Sequence, residues 1–450
     1  MASRAGRTCL LFLLILYAAA GVVQQAQSAG YQLRQQGSEG LGTALAGVSA
    51  GANGLSDMYW NPAVAGTVER PSAAASLTYL RPVSKAQEGG AATVLGTPVS
   101  GRGAQDDVTP SQVIPAAYFA TPVNDRLSVG LAVNPSFGLE TDYGADWIGR
   151  YHALNSEVLA VSFNPTLAYR AGDRLTFAGG FIAQYFDAKL SNAVDFGTIG
   201  AVSGVPGAVA GGQDGRAAME ADDWGFGFNA GLLAEPFDGT RLGLSYRSEI
   251  RHSLRGEARF TLDEAGVGAA LSGATGAFRD TSVRSGIRTP GFAALGLSQD
   301  LTPELTLLAE VQWIGWSAFD DLVVRFDNPA QPAEVTTQNW DDSWFAALGL
   351  AYRPDARWTV RTGVAFDQSP VPDDTRTPRI PDADRTWISG GLGYAVAEWL
   401  RLDVSYTRIF MSGERIALTA DQPGNTFRGD LDFRSNTSVD VVALAGTVRF

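Results

Sequence analysis

The chain ends with the stretch Val442-Ala443-Leu444-Ala445-Gly446-Thr447-Val448-Arg449-Phe450, and this stretch decides the fold class. Alternate residues share a face in a β-strand, because its side chains repeat with a period of two. One face therefore carries Val442, Leu444, Gly446, Val448 and the aromatic end Phe450, and the other carries Ala445, Thr447 and Arg449. One apolar face and one mixed face are typical of a strand in an outer-membrane β-barrel, which meets lipid outside and a lumen inside.

The amino-terminal residues predict export. Arg4 and Arg7 precede an apolar run from residue 10 to residue 20, and the small residues around Ala26-Gln27-Ser28 suit cleavage by a signal peptidase. We therefore predict a signal peptide over residues 1–28. The single cysteine, Cys9, lies inside it, so the mature protein is expected to hold no disulfide.

Composition narrows the function classes. A net charge of -13 argues against binding nucleic acid, because that affinity depends on Lys and Arg neutralising phosphates. No stretch of the mature chain reaches the roughly 20 apolar residues of a membrane helix. The 52 glycines and ten tryptophans fit a barrel, although composition alone also fits a secreted all-β protein.

Alternating segments recur from about residue 73 onward, separated in turn by very short and by long irregular connections. They predict a single domain over residues 72–450, an all-β, 14-stranded antiparallel transmembrane β-barrel, with an even strand number as in bacterial single-chain barrels. The predicted strands cover residues 73–81, 113–121, 126–137, 157–170, 174–187, 223–236, 240–260, 288–299, 304–317, 340–352, 357–369, 384–396, 400–413 and 438–450.

Charged residues on the predicted strands are assigned to the lumen, because an Arg facing lipid near the midplane costs about 2 to 4 kcal/mol. They are Arg247, Glu310, Arg361, Arg401 and Asp403. Two interpretations stay open at this point. These side chains either pair with one another and hold the barrel together, or a minority of them contacts a substrate.

Residues 29–71 do not have the pattern of a strand. They are mostly small, with Gly47, Gly51 and Gly54 ahead of the break at Asn61-Pro62. A barrel of fourteen strands is too wide for its own side chains to fill, so it stays open unless another segment enters it. We therefore predict that residues 29–71 form an amino-terminal hatch that plugs the lumen.

The mature chain resembles the outer-membrane transporters of the FadL and TodX type. The resemblance rests first on Ala29-Gly30-Tyr31-Gln32-Leu33, Gly40-Leu41-Gly42 and Trp60-Asn61-Pro62-Ala63, which are similar to that family's hatch. It continues through Phe137-Gly138-Leu139-Glu140-Thr141, Asn164-Pro165 and Gly243-Leu244-Ser245-Tyr246-Arg247. The resemblance implies that Asn61, Pro62 and Ala63 anchor the hatch in the lumen. A structural turn leading into the first strand is the competing interpretation, and both can hold together.

Pro135 interrupts the third predicted strand. Proline has no backbone donor, so Asn134-Pro135-Ser136 followed by Gly138 should break the ladder or form a bulge. The family resemblance implies that an inward kink here opens a lateral exit from the lumen into the bilayer. An ordinary bulge without an opening is the alternative.

Two predicted outer loops, over residues 196–210 and 262–278, are candidates for first contact with an apolar solute. Residues 263–271 of the second loop predict a short amphipathic helix with its acidic residues at the start. The resemblance implies a shallow apolar groove between these loops. The competing interpretation is that these loops are flexible connections rich in glycine and alanine.

The sequence predicts no enzyme, catalytic residue, metal site or cofactor. The only histidines, His152 and His252, have no neighbours with metal-ligand spacing, and a lone histidine is more often structural than catalytic. Passive uptake requires neither a cofactor nor a nucleotide.

Together these observations predict a monomeric channel of the Gram-negative outer membrane, surrounded by lipid and lipopolysaccharide. By resemblance it takes up hydrophobic molecules, and long-chain fatty acids are the expected substrate. Arg247, Arg361 and Arg401 are the candidate partners of a fatty-acid carboxylate. Uptake of aromatic or alkane hydrocarbons, and a structural or adhesive barrel, are the alternatives.

Overall fold

A computed structural model describes residues 30–87 and 89–450. The predicted signal peptide and Ala29 lie outside these residues. Twenty-one strands form one sheet within the described part of the chain. Their bounds are β1 Ser72–Ala86, β2 Gly90–Ala92, β3 Gln105–Asp106, β4 Gln112–Pro122, β5 Leu127–Asp142, β6 Asn155–Arg170, β7 Leu175–Asp195, β8 Asp214–Phe237, β9 Thr240–Arg247, β10 Ile250–Thr261, β11 Thr281–Thr289, β12 Phe292–Asp300, β13 Leu305–Ile314, β14 Asp321–Phe326, β15 Glu334–Thr337, β16 Ser343–Tyr352, β17 Trp358–Asp367, β18 Arg385–Ala397, β19 Leu400–Met411, β20 Glu414–Leu418 and β21 Asp430–Arg449.

The described residues contain six short helices. Three are α-helices, namely α1 Ser38–Gly42, α2 Phe196–Val202 and α3 Val267–Thr275. Three are 3-10 helices, over Leu55–Tyr59, Pro62–Thr67 and Trp316–Ala318. None of the helices in the described residues is long and apolar enough to cross a membrane.

The sheet closes on itself because the first strand pairs with the last. Strand β1 runs antiparallel to β21 along its whole length, from Ser72 opposite Arg449 to Ala86 opposite Ser435. The described residues form a closed wall of fourteen antiparallel strands, as the sequence predicted. Three wall strands are each divided in two, as β9 with β10, β11 with β12, and β13 with β14.

All fourteen predicted strands are found, but several begin or end farther out than predicted. Strand β8 begins at Asp214 where residue 223 was predicted, and β11 begins at Thr281 where residue 288 was predicted. The β11 extension carries polar residues on both faces, and the β8 extension is charged on one face and mostly small on the other, so neither shows the large apolar face of a membrane strand. At about 3.3 Å per residue they reach well beyond the hydrocarbon layer.

The two faces of the wall match the predicted alternation. Along β16 and β17, buried and exposed residues alternate without a break, and the exposed set includes Leu348, Val360 and Val364. The predicted lumen residues Glu310 and Asp403 are buried on the opposite face. An apolar exterior around a polar interior is the arrangement that a lipid bilayer requires.

Residues 30–68 occupy the interior and are almost all buried. Glycines in the wall let this segment approach closely. A Cβ on Gly243 would stand 1.8 Å from the carbonyl oxygen of Ser49, and one on Gly363 would stand 2.0 Å from that of Thr43. A side chain at either position would collide with the main chain that fills the lumen, so both wall positions require glycine.

Candidate functional site

Asn61 joins three parts of the interior. Its side-chain oxygen accepts a hydrogen bond from the backbone N–H of Ala63 at 2.9 Å, which caps the 3-10 helix that begins at Pro62. Its amide nitrogen donates to the carbonyl oxygens of Ser49 at 2.7 Å and of Leu232, in the wall strand β8, at 3.1 Å. These contacts suit the predicted anchoring role of Asn61-Pro62-Ala63, which stays a prediction.

Ionic and polar contacts also tie the interior segment to the wall. The guanidinium of Arg34 lies 3.2 Å from the carboxylate of Asp367 and donates to Gln312 at 2.7 Å. The backbone N–H of Ser49 donates to Glu310 at 3.1 Å. Buried charges are stable only when they are paired, so these contacts fix the position of residues 34–49 in the lumen.

The wall is interrupted between β4 and β5. The ladder between these strands runs from Pro122 opposite Ser128 to Ala117 opposite Val133 and stops there, so residues 112–116 of β4 have no partner on β5. Both edges of the gap carry a proline, Pro115 on β4 and Pro135 on β5. We call this gap the β5 break. The sequence analysis identified Pro135 but missed Pro115, which carries the same signal.

Strand β5 turns inward at the break. Its pairing with β6 shifts by one residue between Pro135 and Phe137, which marks a bulge at the predicted kink. Residues 134–139 are all buried, so the usual alternation between lipid and lumen is lost over this stretch. The predicted residues Asn134, Pro135, Ser136 and Gly138 thus lie together at a bend in the wall.

The amino-terminal segment covers the β5 break from inside. The N–H of Leu33 donates to the carbonyl oxygen of Ser136 at 2.9 Å, and the N–H of Gly138 donates to that of Tyr31 at 2.8 Å. The side chain of Gln36 donates to the carbonyl oxygen of Pro135 at 2.8 Å. Residues 31–36, which we call the plug segment, thus provide hydrogen-bond partners along an edge that β4 does not pair.

Tyr31 of the plug segment sits in an aromatic cage. Its ring centroid lies 4.9 Å from that of Trp316 and 5.6 Å from that of Phe137, which is part of the β5 bend. The rings of Phe319 and Trp340 lie 5.8 Å away. The buried hydroxyl of Tyr31 has no hydrogen-bond partner among the described residues, which costs about 1 to 3 kcal/mol.

Tyr31 also lines a cavity, which we call the apolar cavity. The other walls are mostly aliphatic, and they include Leu139, Val158, Leu254, Ile287 and Phe319. The free space is about 80 Å³. Sites for small molecules usually measure about 300 to 1,000 Å³, so a ligand of that size requires part of the lining to move. Tyr31 is the lining residue that belongs to the plug segment.

Arg379 is a cation at the edge of the apolar cavity, in the loop between β17 and β18. It is partly buried and donates to the carbonyl oxygen of Asn155, to Ser156 and to Asn192 at 3.0 to 3.2 Å. All of these acceptors are neutral. Burial lowers the pKa of Arg379 to about 10, so the guanidinium stays charged at neutral pH. The sequence analysis missed this residue because it follows no strand pattern.

The three predicted carboxylate partners already have partners of their own. The guanidinium of Arg361 lies 2.8 Å from Asp403, and that of Arg401 lies 3.0 Å from the same carboxylate. Arg247 lies over the ring of Tyr59 at 4.7 Å and donates to its carbonyl oxygen. Their role toward a ligand stays a prediction, and their contacts favour the alternative that they hold the interior together.

The two predicted outer loops meet. Each contains a helix, α2 and α3. The sequence predicted the second over residues 263–271, but it begins at Val267, so Asp263 and Glu264 precede it. Phe196, Val267 and Leu271 form a small buried cluster between them, with Phe278 packed against it. The groove that the resemblance implied at these loops stays a prediction.

Both histidines lie in polar surroundings, and the ring of His252 is 3.9 Å from the carboxylate of Asp223. His152 contacts the carbonyl oxygen of Gly429, and His252 contacts the side chain of Gln184. Within residues 30–87 and 89–450, no group of three or more His, Cys, Asp or Glu side chains is placed to hold a metal ion.

Comparison with known sequences and structures identifies relatives over nearly the whole chain. The family described as outer membrane protein transport protein (OMPP1/FadL/TodX) matches residues 19–450. The long-chain fatty acid transport protein of Escherichia coli K12 is 30% identical over 420 residues, which are 89% of this chain and 92% of that protein.

Solved structures share the fold. A FadL homologue of Pseudomonas aeruginosa has a TM-score of 0.85 at 25% identity, covering 94% of this chain and 100% of that chain. The toluene transporter TodX of Pseudomonas putida has a TM-score of 0.68 at 18% identity, covering 94% of this chain and 99% of that chain. The second likeness supports the fold alone.

Proposed function

Because this chain belongs to the outer membrane protein transport family (OMPP1/FadL/TodX), we propose that it is a passive uptake channel for long-chain fatty acids, released sideways into the bilayer. The observation that carries the choice of substrate is Arg379, a cation at the edge of a cavity whose other walls are mainly aliphatic and include one carboxylate, that of Glu220. We assign no catalytic step to it. One chain contains both the cavity and the β5 break, so we expect it to act as a monomer among outer-membrane lipid and lipopolysaccharide.

The carboxylate of a fatty acid would supply the ionic partner that Arg379 lacks among the described residues. Its described acceptors are neutral oxygens, and a partly buried guanidinium gains most from an ionised partner, to which it can donate two parallel hydrogen bonds. The acyl chain would then lie along Leu139, Val158 and Ile287. Toluene, the substrate named for one structural relative, has no group that would use this charge.

Ligand entry would displace Tyr31. An acyl chain entering the aromatic cage competes with the tyrosine ring, whose hydroxyl has no hydrogen-bond partner among the described residues. Because Tyr31 also packs on Phe137 and accepts a hydrogen bond from Gly138, its departure would loosen the plug segment from β5. Filling the cavity and uncovering the β5 break are thus coupled through one residue.

Sideways release is favoured by the hydrophobic effect. Moving an acyl chain out of water gains roughly 0.8 kcal/mol per methylene, so delivery into lipid is far more favourable than delivery into the periplasm. The bend at Pro135 places the gap in the wall directly beside Phe137 of the aromatic cage. The path from the cavity to the bilayer is therefore short.

The test is the substitution Arg379→Gln, which keeps hydrogen-bond donors and removes the charge. Because Arg379 would hold the carboxylate, we expect the Kd for oleate to rise at least tenfold, or about 1.4 kcal/mol. The Kd for methyl oleate should stay unchanged. Both are measured by equilibrium binding to the purified protein.

Arg401→Gln is the matched control, because Arg401 is an inward-facing arginine already paired with Asp403. It should leave both affinities unchanged. An equal loss of affinity for oleate and its ester in Arg379→Gln would contradict a carboxylate site. Tight binding of toluene with no binding of oleate would favour the hydrocarbon alternative.

A further inference from the structure

A second cavity lies against the loop that carries Arg379. Residues from four parts of the chain line it, among them His152, Thr336, Thr337, Asp374, Thr375 and Arg428. Its free space is about 240 Å³. We call it the polar cavity, because hydroxyl, amide and charged side chains dominate its walls.

Thr377 and Arg379 line both cavities, so the loop around them is the partition between them. The loop is fastened on several sides. Tyr143 donates to the carbonyl oxygen of Pro378 at 2.9 Å, and Thr375 donates to that of Gln338 at 2.6 Å. A guanidinium in this partition is therefore accessible to an anion from either side.

The charges of the polar cavity favour a small anionic group. Arg428 forms an ion pair with Glu334, so that pair is neutral as a whole. Asp374 is exposed, and water screens its charge. Burial lowers the pKa of His152 to about 3, so its ring is neutral at physiological pH. Asp374 and Arg379 are the lining charges for which the described residues show no ion pair, and of the two only Arg379 is partly buried.

From this arrangement we propose that the polar cavity is an entry site for the carboxylate head of an amphiphile, which Arg379 then passes into the apolar cavity. The hydroxyl groups of Thr336 and Thr337 donate to the carboxylate in place of part of its water shell. The carboxylate then reaches Arg379 without crossing an apolar region in which its charge would have no partner. The inference rests on the proposed function only for the identity of the ligand.

A change in an entry site alters the rate of binding and leaves the equilibrium affinity unchanged. A change in the apolar cavity, where the ligand finally binds, alters the equilibrium affinity. Trp316 and Trp340 contact Tyr31, so tryptophan fluorescence in a stopped-flow instrument reports arrival of the ligand. The probes are oleate and methyl oleate, added to the full mature protein in lipid nanodiscs. The variant is Arg428→Gln, which leaves Glu334 as an unpaired negative charge on the way in.

We expect Arg428→Gln to lower the association rate constant for oleate about tenfold, with an unchanged equilibrium Kd and an unchanged rate for methyl oleate. Arg415→Gln is the matched control, because Arg415 forms an exposed ion pair with Asp432 outside the cavity. It removes the same charge and should leave every rate unchanged.

Equal association rates for oleate in Arg428→Gln and Arg415→Gln, with oleate still bound at equilibrium, would overturn the entry site and leave the proposed function standing. Absence of equilibrium binding of oleate to the unaltered protein would instead overturn the proposed function.

If Arg428→Gln does not fold, the salt dependence of the association rate of the unaltered protein tests the entry site instead. Association of oleate should slow with ionic strength while that of methyl oleate does not, and equal behaviour of the two would overturn the entry site.

Discussion

Two neighbouring wall strands contain the same dipeptide, and the structure treats the two copies differently. Asn134-Pro135 lies in β5 and Asn164-Pro165 lies in β6. Each proline removes a backbone donor from the ladder. At β5 the strand bends inward and loses its neighbour, whereas at β6 the register on either side of the proline is unchanged.

We call the missing pairing with β7 at Asn164 and Pro165 the β6 break. Side chains of the wall itself seal it. Pairing with β7 is missing only at Asn164 and Pro165, and the amide of Asn164 donates to the carbonyl oxygen of Phe181 at 2.8 Å. Asn229 of β8 donates back to the side-chain oxygen of Asn164 at 2.8 Å. A side-chain amide thus replaces the lost backbone donor, and the wall stays closed.

The asparagine of the β5 break bonds to the interior chain and not to the wall. The amide of Asn134 donates to the side chain of Gln36, which belongs to the plug segment. The groups that complete the wall here come from the interior chain, about a hundred residues away in sequence. From this difference we infer that a proline in a barrel strand can make an exit only where its replacement partner can leave.

The largest expected effect comes from removing that partner. Deletion of residues 29–63 removes the plug segment and most of the hatch, and an empty barrel of fourteen strands is wide enough to conduct ions. We expect single-channel conductance in planar bilayers to rise at least tenfold. An unchanged conductance would contradict the hatch, and is what an adhesive barrel or general porin would show.

The second effect comes from repairing the β5 break. Replacing Asn134-Pro135-Ser136 with Thr-Val-Thr restores a backbone donor and strand-forming residues, which should close the gap against β4. We expect uptake of oleate to fall at least tenfold without loss of the folded barrel, measured with labelled oleate in whole cells. The matched control is Pro165→Val in β6, which restores a donor in the break that is already sealed. Equal uptake by the two variants would contradict a lateral exit.

A smaller effect is expected from Tyr31→Phe. The change removes a buried hydroxyl that has no hydrogen-bond partner among the described residues and keeps the ring in its cage. Because the closed plug becomes more stable by about 1 kcal/mol, displacement by ligand should become less favourable. We expect the Kd for oleate to rise about fivefold in equilibrium binding. Tighter binding would show that the ring is not displaced.

The smallest effect on transport is expected from Asn164→Ala, which removes the seal of the β6 break. The loss of a buried amide and its partners should lower the free energy of unfolding by about 1 to 3 kcal/mol, measured by urea unfolding in lipid vesicles. Uptake of oleate should not change, because β6 keeps its register. Increased uptake would mean that β6 contains a second exit.

The sequence was sufficient for the fold and for one edge of the β5 break. Alternation identified all fourteen strands, and Pro135 stood out because a central strand requires its donor. Pro165 carries the same local signal but makes no opening, and only the position of Asn229, 65 residues away, explains why. Local sequence predicts where a ladder breaks, and distant residues decide what fills the break.

The candidate ligand residues were harder to predict. The sequence analysis chose arginines on strands, because alternation shows which of them face inward. Arg401 and Asp403 are two residues apart and share a face, so their pairing was itself readable from the sequence. Arg379 lies in a loop without periodicity, and the lack of an ionic partner for it among the described residues becomes visible only in three dimensions.

The central claim is that ligand leaves through the β5 break into lipid, and its most direct test follows oleate inside reconstituted vesicles. A fluorescent oleate analogue is quenched on arrival among brominated lipids, and an entrapped fatty-acid-binding sensor reports arrival in the inner water. We predict that lipid quenching precedes the sensor signal and slows at least tenfold when Asn134-Pro135-Ser136 is replaced, but not in Pro165→Val. A sensor signal that precedes quenching, or equal quenching rates in both variants, would contradict the lateral exit.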